Sequence, residues 1–195
     1  MVATTERFLT LDAKPGGNRI VDQEQIDGLL SYIEQVRQRT LWVALCIPVE
    51  RLEWAIAPRR FTFGDILRHV AATERYIFVE NAVRRRSRYP GHDTTLAQGY
   101  RGVLRYMADL HQESVSILRD LEPDDCERYC STPGGAPIVI WQWLLEMVEH
   151  ENHHRGEICA YLGALGVRNP SVFGLTSELD GTRRLSSESE GGCRR

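Results

Sequence analysis

The chain of 195 residues is 42% hydrophobic and 26% charged, with 24 Lys+Arg against 27 Asp+Glu and a formal net charge of -3. That length fits one domain that can bury a core without disulfides or a structural metal, and a charge this near neutrality lacks the basic footprint of a nucleic-acid binder. Cys46, Cys126, Cys130, Cys159 and Cys193 are scattered with no CxxC, which argues against a disulfide framework or a thiolate zinc site and for a reduced, cytoplasmic protein. The N-terminus has no apolar run of signal-peptide length and nowhere do ~18 uninterrupted apolar residues appear, so neither export nor a membrane partner is expected.

Residues 1–19 hold the turn cluster Pro15-Gly16-Gly17-Asn18 and read as an arm outside the domain. A helix is expected from about Asp22 to Cys46, where Ile26, Leu30, Ile33, Val36 or Arg37, Leu41 and Ala44 recur at helical steps, with Pro48 as its stop. The stretch from Ile47 to Phe61 makes a long first connection. Thr62 is a good N-cap for a second helix carrying Ile66, Val70, Thr73 and Ile77 and ending in Arg84-Arg85-Arg86, whose charge suits a helix C-terminus. A third, from about Thr94 to Leu121, aligns Tyr100, Leu104, Met107, His111, Val115, Leu118 and Leu121, and Glu122-Pro123-Asp124 ends it. The fourth follows the turn-rich segment Ser131 to Pro137 and runs to Gly163 or Gly166. No segment alternates as a strand should, and residues 179–195 are polar and aperiodic, as in a disordered tail. Four amphipathic helices within residues 20–178 predict an all-α four-helix bundle.

The histidines carry the chemistry. Trp143, Met147, His150, His154, Ile158, Tyr161 and Leu165 advance by three or four and share one face, so two imidazoles stand where the pattern calls for core side chains. His69 falls between Ile66 and Thr73 on the inward stripe of the second helix. Unpartnered, each would cost a few kcal/mol to bury. A divalent metal satisfies all three, because histidines at i and i+4 can reach one ion and a third from a facing helix leaves positions open for water or substrate. The plainer alternative is a set of hydrogen-bonded core histidines. His111 is inward by the same count and reads as an extra ligand, a partner of a ligand or a core residue, whereas His153 and His92 read as surface residues.

His150-Glu151-Asn152-His153-His154 also matches HExxH, the zinc-protease pattern in which the glutamate is the general base. The extended form of that motif needs a glycine and a third histidine where this chain has Glu157 and Ala160. With no sheet expected to hold a peptide, the protease reading is the weaker one.

Two segments, Phe63-Gly64-Asp65-Ile66-Leu67-Arg68-His69-Val70-Ala71-Ala72-Thr73-Glu74 and Glu149-His150-Glu151-Asn152-His153-His154-Arg155-Gly156-Glu157-Ile158 with Tyr161-Leu162 and Gly166, resemble the signature segments of the DinB/YfiT-like superfamily. The resemblance runs from about Asp22 to Leu175. It implies a four-helix bundle, commonly a homodimer, holding a divalent metal through His69, His150 and His154. One departure is Glu157, where the family usually has glutamine; glutamate keeps an acceptor and loses a donor.

Relatives in that superfamily include S-transferases that use bacillithiol or similar low-molecular-weight thiols, a mycothiol-dependent isomerase and proteins labelled metal-dependent hydrolases. The first expectation is therefore an enzyme acting on a small-molecule substrate, in which zinc, nickel or iron on three histidines activates a low-molecular-weight thiol for S-transfer. Alternatives are a hydrolase using metal-bound water, or a bundle that binds or senses metal without catalysis. Arg155 and Glu74 are the candidates for contact with substrate or orientation of ligands, with ordinary surface ion pairing as the alternative for either, and Glu151 or Glu74 is the candidate general base of the hydrolase.

Overall fold

The computed structural model describes residues 21–173. The expected arm (1–19) and tail (179–195) lie outside the described residues. Helix α1 (Gln23–Ala44) starts at a reciprocal cap, in which Asp22 accepts from the Gln25 amide and the Gln25 side chain accepts from the Asp22 amide. Its last turn gives way to a 3-10 turn, Val49–Arg51, just after Pro48. The long connection then folds back onto the start of α2 (Phe63–Thr73): the Phe63 and Gly64 amides donate to the Trp54 and Leu52 carbonyls. Thr62 caps α2 as expected, in a reciprocal pair with Asp65.

Arg68 holds this region together from a fully buried position. Its guanidinium pairs with Glu53 and Asp65, and its Nε donates to the Ala97 carbonyl at 2.9 Å, tying the loops on either side of α2 to the helix. Gly64 is required by that arrangement, because a Cβ there would lie 2.8 Å from Glu53 Oε1 and 2.9 Å from Arg68 Nη1.

The second helix departs from the expectation in two ways. It widens into a π-helical stretch, Glu74–Val79, before a last turn α3 (Glu80–Ala82), and it stops short of the arginine run, with Arg84 in the left-handed region at φ 57°. Widening frees carbonyls from the helical ladder, and the Trp143 indole donates to that of Phe78 at 2.9 Å. The third long helix, α4 (Gly99–Leu118), starts later than Thr94 because Asp93 Oδ1 accepts from the Thr95 amide and hydroxyl, closing a local turn in place of a helical one. A short helix α5 (Pro123–Cys126) follows.

The expectation of no strands is corrected. Strands β1 (Tyr129–Ser131) and β2 (Pro137–Val139) pair antiparallel, with Cys130 opposite Ile138, and Asn81 donates to the Ser131 carbonyl to hold the hairpin against α3. Three residues per strand are too few to print an alternating pattern. Helix α6 (Ile140–Ala164) completes a four-helix bundle in which α1 packs chiefly on α6 and α2 chiefly on α4. No described helix is long and apolar enough to cross a membrane.

The core has two apolar halves. One gathers Ile33, Val36, Phe78, Leu118, Trp143 and Met147; the other gathers Val43, Phe63, Val70, Leu110, Ile158 and Leu162. Between them every long helix contributes buried polar residues: Arg37 and Thr40 from α1, Glu74 where α2 widens, His111 and Ser114 from α4, and Glu151, His154 and Arg155 from α6.

Candidate metal centre

The fold brings the three inward histidines to one place. His69, His150 and His154 each bring a ring nitrogen into a group whose atoms all lie within 4.8 Å of one another, and His69 Nε2 stands 3.0 Å from His150 Nε2. A tetrahedral ion about 2.0–2.1 Å from each nitrogen would space its ligands roughly 3.3 Å apart, so the three rings are close to the geometry a divalent metal needs. His154 is buried, while His69 and His150 are half-buried, which leaves the group reachable from outside.

Electrostatics point the same way. Burial first, then His154 and His92, lowers the His69 pKa from 6.5 to about 4; burial, then His154 and His69, lowers that of His150 to about 3. His154 is lowered too, by burial, against the pull of Glu157. All three are therefore neutral at pH 7 and offer lone pairs, the form in which imidazole binds a metal.

Two of the rings are held from behind. His154 Nδ1 lies 2.5 Å from Glu157 Oε2, and His69 Nδ1 lies 2.7 Å from the Tyr89 hydroxyl and 3.3 Å from Thr73 Oγ1. A metal-bound histidine characteristically donates its other N–H to such a partner. The departure at Glu157 thus uses the acceptor that glutamate retains.

The remaining candidates sit elsewhere. His111 is inward, as read, but its Nδ1 faces Glu74 Oε1 at 3.0 Å and it takes no part in the three-histidine group. Glu74 and Arg155 are not surface ion pairs: Glu74 is 3% exposed and pairs with Arg37, and Arg155 is 8% exposed with Nη1 3.4 Å from the Val36 carbonyl. Glu151 is also buried, and its Oε2 lies 3.1 Å from Arg37 Nη2. Burial would raise the Glu74 pKa, but the Arg37 charge and the His111 hydrogen bond bring it below the usual range. For Glu151 burial prevails, and its pKa is raised.

His153 is exposed, as expected. His92 is nearer the centre than a surface reading allows: it is half-buried, its Nδ1 lies 2.9 Å from the Tyr89 hydroxyl, and it packs on Phe61 at 4.2 Å between centroids. Arg37 and Tyr89 were not among the sequence candidates. A charged residue at an inward position of the first stripe was a visible signal for Arg37; nothing periodic marks a loop tyrosine.

No curated protein matches the chain. Among solved structures, a DinB-like protein from Bacillus cereus shares 18% identity over 76% of this chain and 97% of its own, with a TM-score of 0.64. The DinB-like protein YjoA from Bacillus subtilis shares 14% over 74% of this chain and 97% of its own, with a TM-score of 0.57. YfiT from Bacillus subtilis, described as a probable metal-dependent hydrolase with an unusual four-helix bundle topology, shares 17% over 80% and 95%, with a TM-score of 0.62. At these identities the likeness is one of fold. The family model of the DinB superfamily matches residues 32–158, which include all three histidines of the centre, and the chain belongs to that superfamily.

Proposed function

We propose that the protein is a metal-dependent enzyme that activates a low-molecular-weight thiol at the centre formed by His69, His150 and His154 and presents it to a small electrophilic substrate. One observation carries this reading: three neutral imidazoles converge, while Glu74, Glu151 and Glu157 are already engaged by Arg37, His111 or His154. Zinc, nickel or iron held there would supply Lewis acidity that lowers the pKa of a thiol or of water. Hydrolysis gains most from a positioned carboxylate base, and Glu74, Glu151 and Glu157 are turned to other partners. A thiol ionises far more readily than water and makes less demand on such a base.

The chain's own part is to hold three lone pairs on one point and keep the approach partly open. In the transfer, the thiolate sulfur forms a bond to the electrophilic carbon, the leaving group departs with its electron pair, and the thiol proton goes to solvent. Arg155 ties α6 to the Val36 carbonyl of α1 and supports the scaffold. A homodimer belongs to this reading, and light scattering of the purified chain tests it.

The fold likeness to YfiT favours hydrolysis as the second reading. Metal-loaded protein assayed with bacillithiol, mycothiol and glutathione against a generic alkylating electrophile separates the two. Thiol-dependent turnover that disappears on chelation supports S-transfer. Metal-dependent ester or amide cleavage without thiol supports the hydrolase, and a metal-loaded protein inactive in both assays supports a non-catalytic metal-binding bundle.

A further inference from the structure

We infer that Tyr89 and His92, both on the loop between α3 and α4, form a directional hydrogen-bond relay that fixes the tautomer in which His69 faces the metal centre. The inference rests on the reading of the three histidines as a metal site, and its geometry is specific. His69 Nε2 looks toward His150 at 3.0 Å, and Nδ1 looks away, 2.7 Å from the Tyr89 hydroxyl. To bind a cation Nε2 must present a lone pair, so the ring proton has to be on Nδ1. Nδ1–H then donates to the Tyr89 oxygen, and the Tyr89 hydroxyl, with its own proton free, donates onward to His92 Nδ1 at 2.9 Å. Each member has one proton to give, so the order His69 to Tyr89 to His92 assigns them all.

The relay is placed by features already described. Arg68, one residue before His69, holds the Ala97 carbonyl at the end of the same loop and Glu53 in the first connection. Phe61 from that connection packs on His92, so the two loops meet beside His69. Thr73 Oγ1 is the competing acceptor for Nδ1, but at 3.3 Å it is the weaker one. Tyr89 is 36% exposed, and removing its hydroxyl leaves no large buried gap.

The test uses the full chain and Tyr89→Phe, His92→Phe, the double variant and Thr73→Val, each checked for native circular dichroism. Phenylalanine at position 92 keeps a ring against Phe61 and removes the acceptor nitrogen. In metal-free wild type, 15N chemical shifts of the ring nitrogens should show His69 protonated on Nδ1 and His150 on Nε2. Tyr89→Phe should remove that preference in His69. With Zn2+ and a competing chelator, Tyr89→Phe should weaken binding about 10–100-fold, within the range for outer-shell partners of metal ligands. His92→Phe should weaken it less, and the double variant should match Tyr89→Phe alone, since a relay cut at its first link has nothing left to lose at its second.

A His69 ring protonated on Nε2 in metal-free wild type would overturn the relay. So would Zn2+ affinity within twofold of wild type for Tyr89→Phe, effects of the two loop variants that add, or a larger loss in Thr73→Val. Wild type that binds no Zn2+ would overturn the metal reading instead, and the tautomer measurement would still decide the relay.

Discussion

Arg37 Nη2 lies 3.1 Å from Glu151 Oε2, one residue past His150, and the same guanidinium pairs with Glu74, five residues past His69. An arginine from α1, which supplies no histidine to the centre, therefore ties together the two helices that do. Arg37 and Glu74 are each 3% exposed and Glu151 is 5% exposed, so the three form the centre of the polar layer that divides the apolar core. Burying such charges is expensive, and removing one partner leaves the others uncompensated.

Replacing Arg37 by methionine keeps much of its volume and strands two buried carboxylates. The expected loss is about 3–5 kcal/mol in urea unfolding. Adding Glu74→Gln and Glu151→Gln to that variant should recover a large part, because it is the unpaired charge that costs. A triple variant no more stable than Arg37→Met would show that the loss came from packing.

Metal content separates the three-histidine centre from the HExxH alternative. His69→Ala, His150→Ala and His154→Ala should each bring bound metal close to background by plasma mass spectrometry, whereas His111→Ala, whose ring faces Glu74, should retain it. Stoichiometric metal surviving in His69→Ala would refute a site shared between two helices. Glu151→Gln gives a second view: its carboxylate is turned to Arg37, so turnover should fall far less than loss of a general base would require, typically 10²–10⁴-fold.

The helices and the three histidines were legible because both follow the 3.6-residue period: His150 and His154 interrupt a stripe of Trp143, Met147, Ile158 and Tyr161 that is otherwise core. Arg37 was half-legible, as a charge beside Val36 on an inward stripe, but its role depends on Glu74 and Glu151 arriving from two other helices. The π-helical widening at Glu74 leaves no mark in a pattern read at a fixed period, and the β1–β2 hairpin is too short to alternate. Tyr89 and His92 reach the site through loop geometry set by Arg68, Ala97 and Phe61, contacts made across the chain that no local period encodes.

The depressed histidines give the metal-free protein a defined response to acid. Unfolded histidines take up protons near pH 6.5, but folded His69 and His150 do so only near 4 and 3. Between those values the unfolded chain binds more protons, so stability falls as the pH is lowered from about 6.5 through 4. Melting temperatures of metal-free protein from pH 7.5 to 4.5 should fall, and should fall less steeply in the double variant His69→Gln, His150→Gln. Equal slopes would mean that other groups, such as the Glu74 carboxylate held below its usual range by Arg37 and His111, dominate the acid response.

Glu157 offers the last separation, between the charge of a ligand's supporting partner and its hydrogen bond. His154 Nδ1 lies 2.5 Å from Glu157 Oε2, so with a metal on the other ring nitrogen the Nδ1–H donates to this carboxylate. Glutamine, the usual family residue here, keeps an acceptor oxygen and loses the charge; alanine loses both. Glu157→Gln should therefore weaken Zn2+ binding only a few-fold, while Glu157→Ala should lose about 10–100-fold, measured by chelator competition. Glu157→Gln should also lower the His154 pKa further, because the carboxylate is what opposes burial there. The two variants weakening Zn2+ equally would show that the negative charge, and not the orienting hydrogen bond, is what Glu157 gives His154.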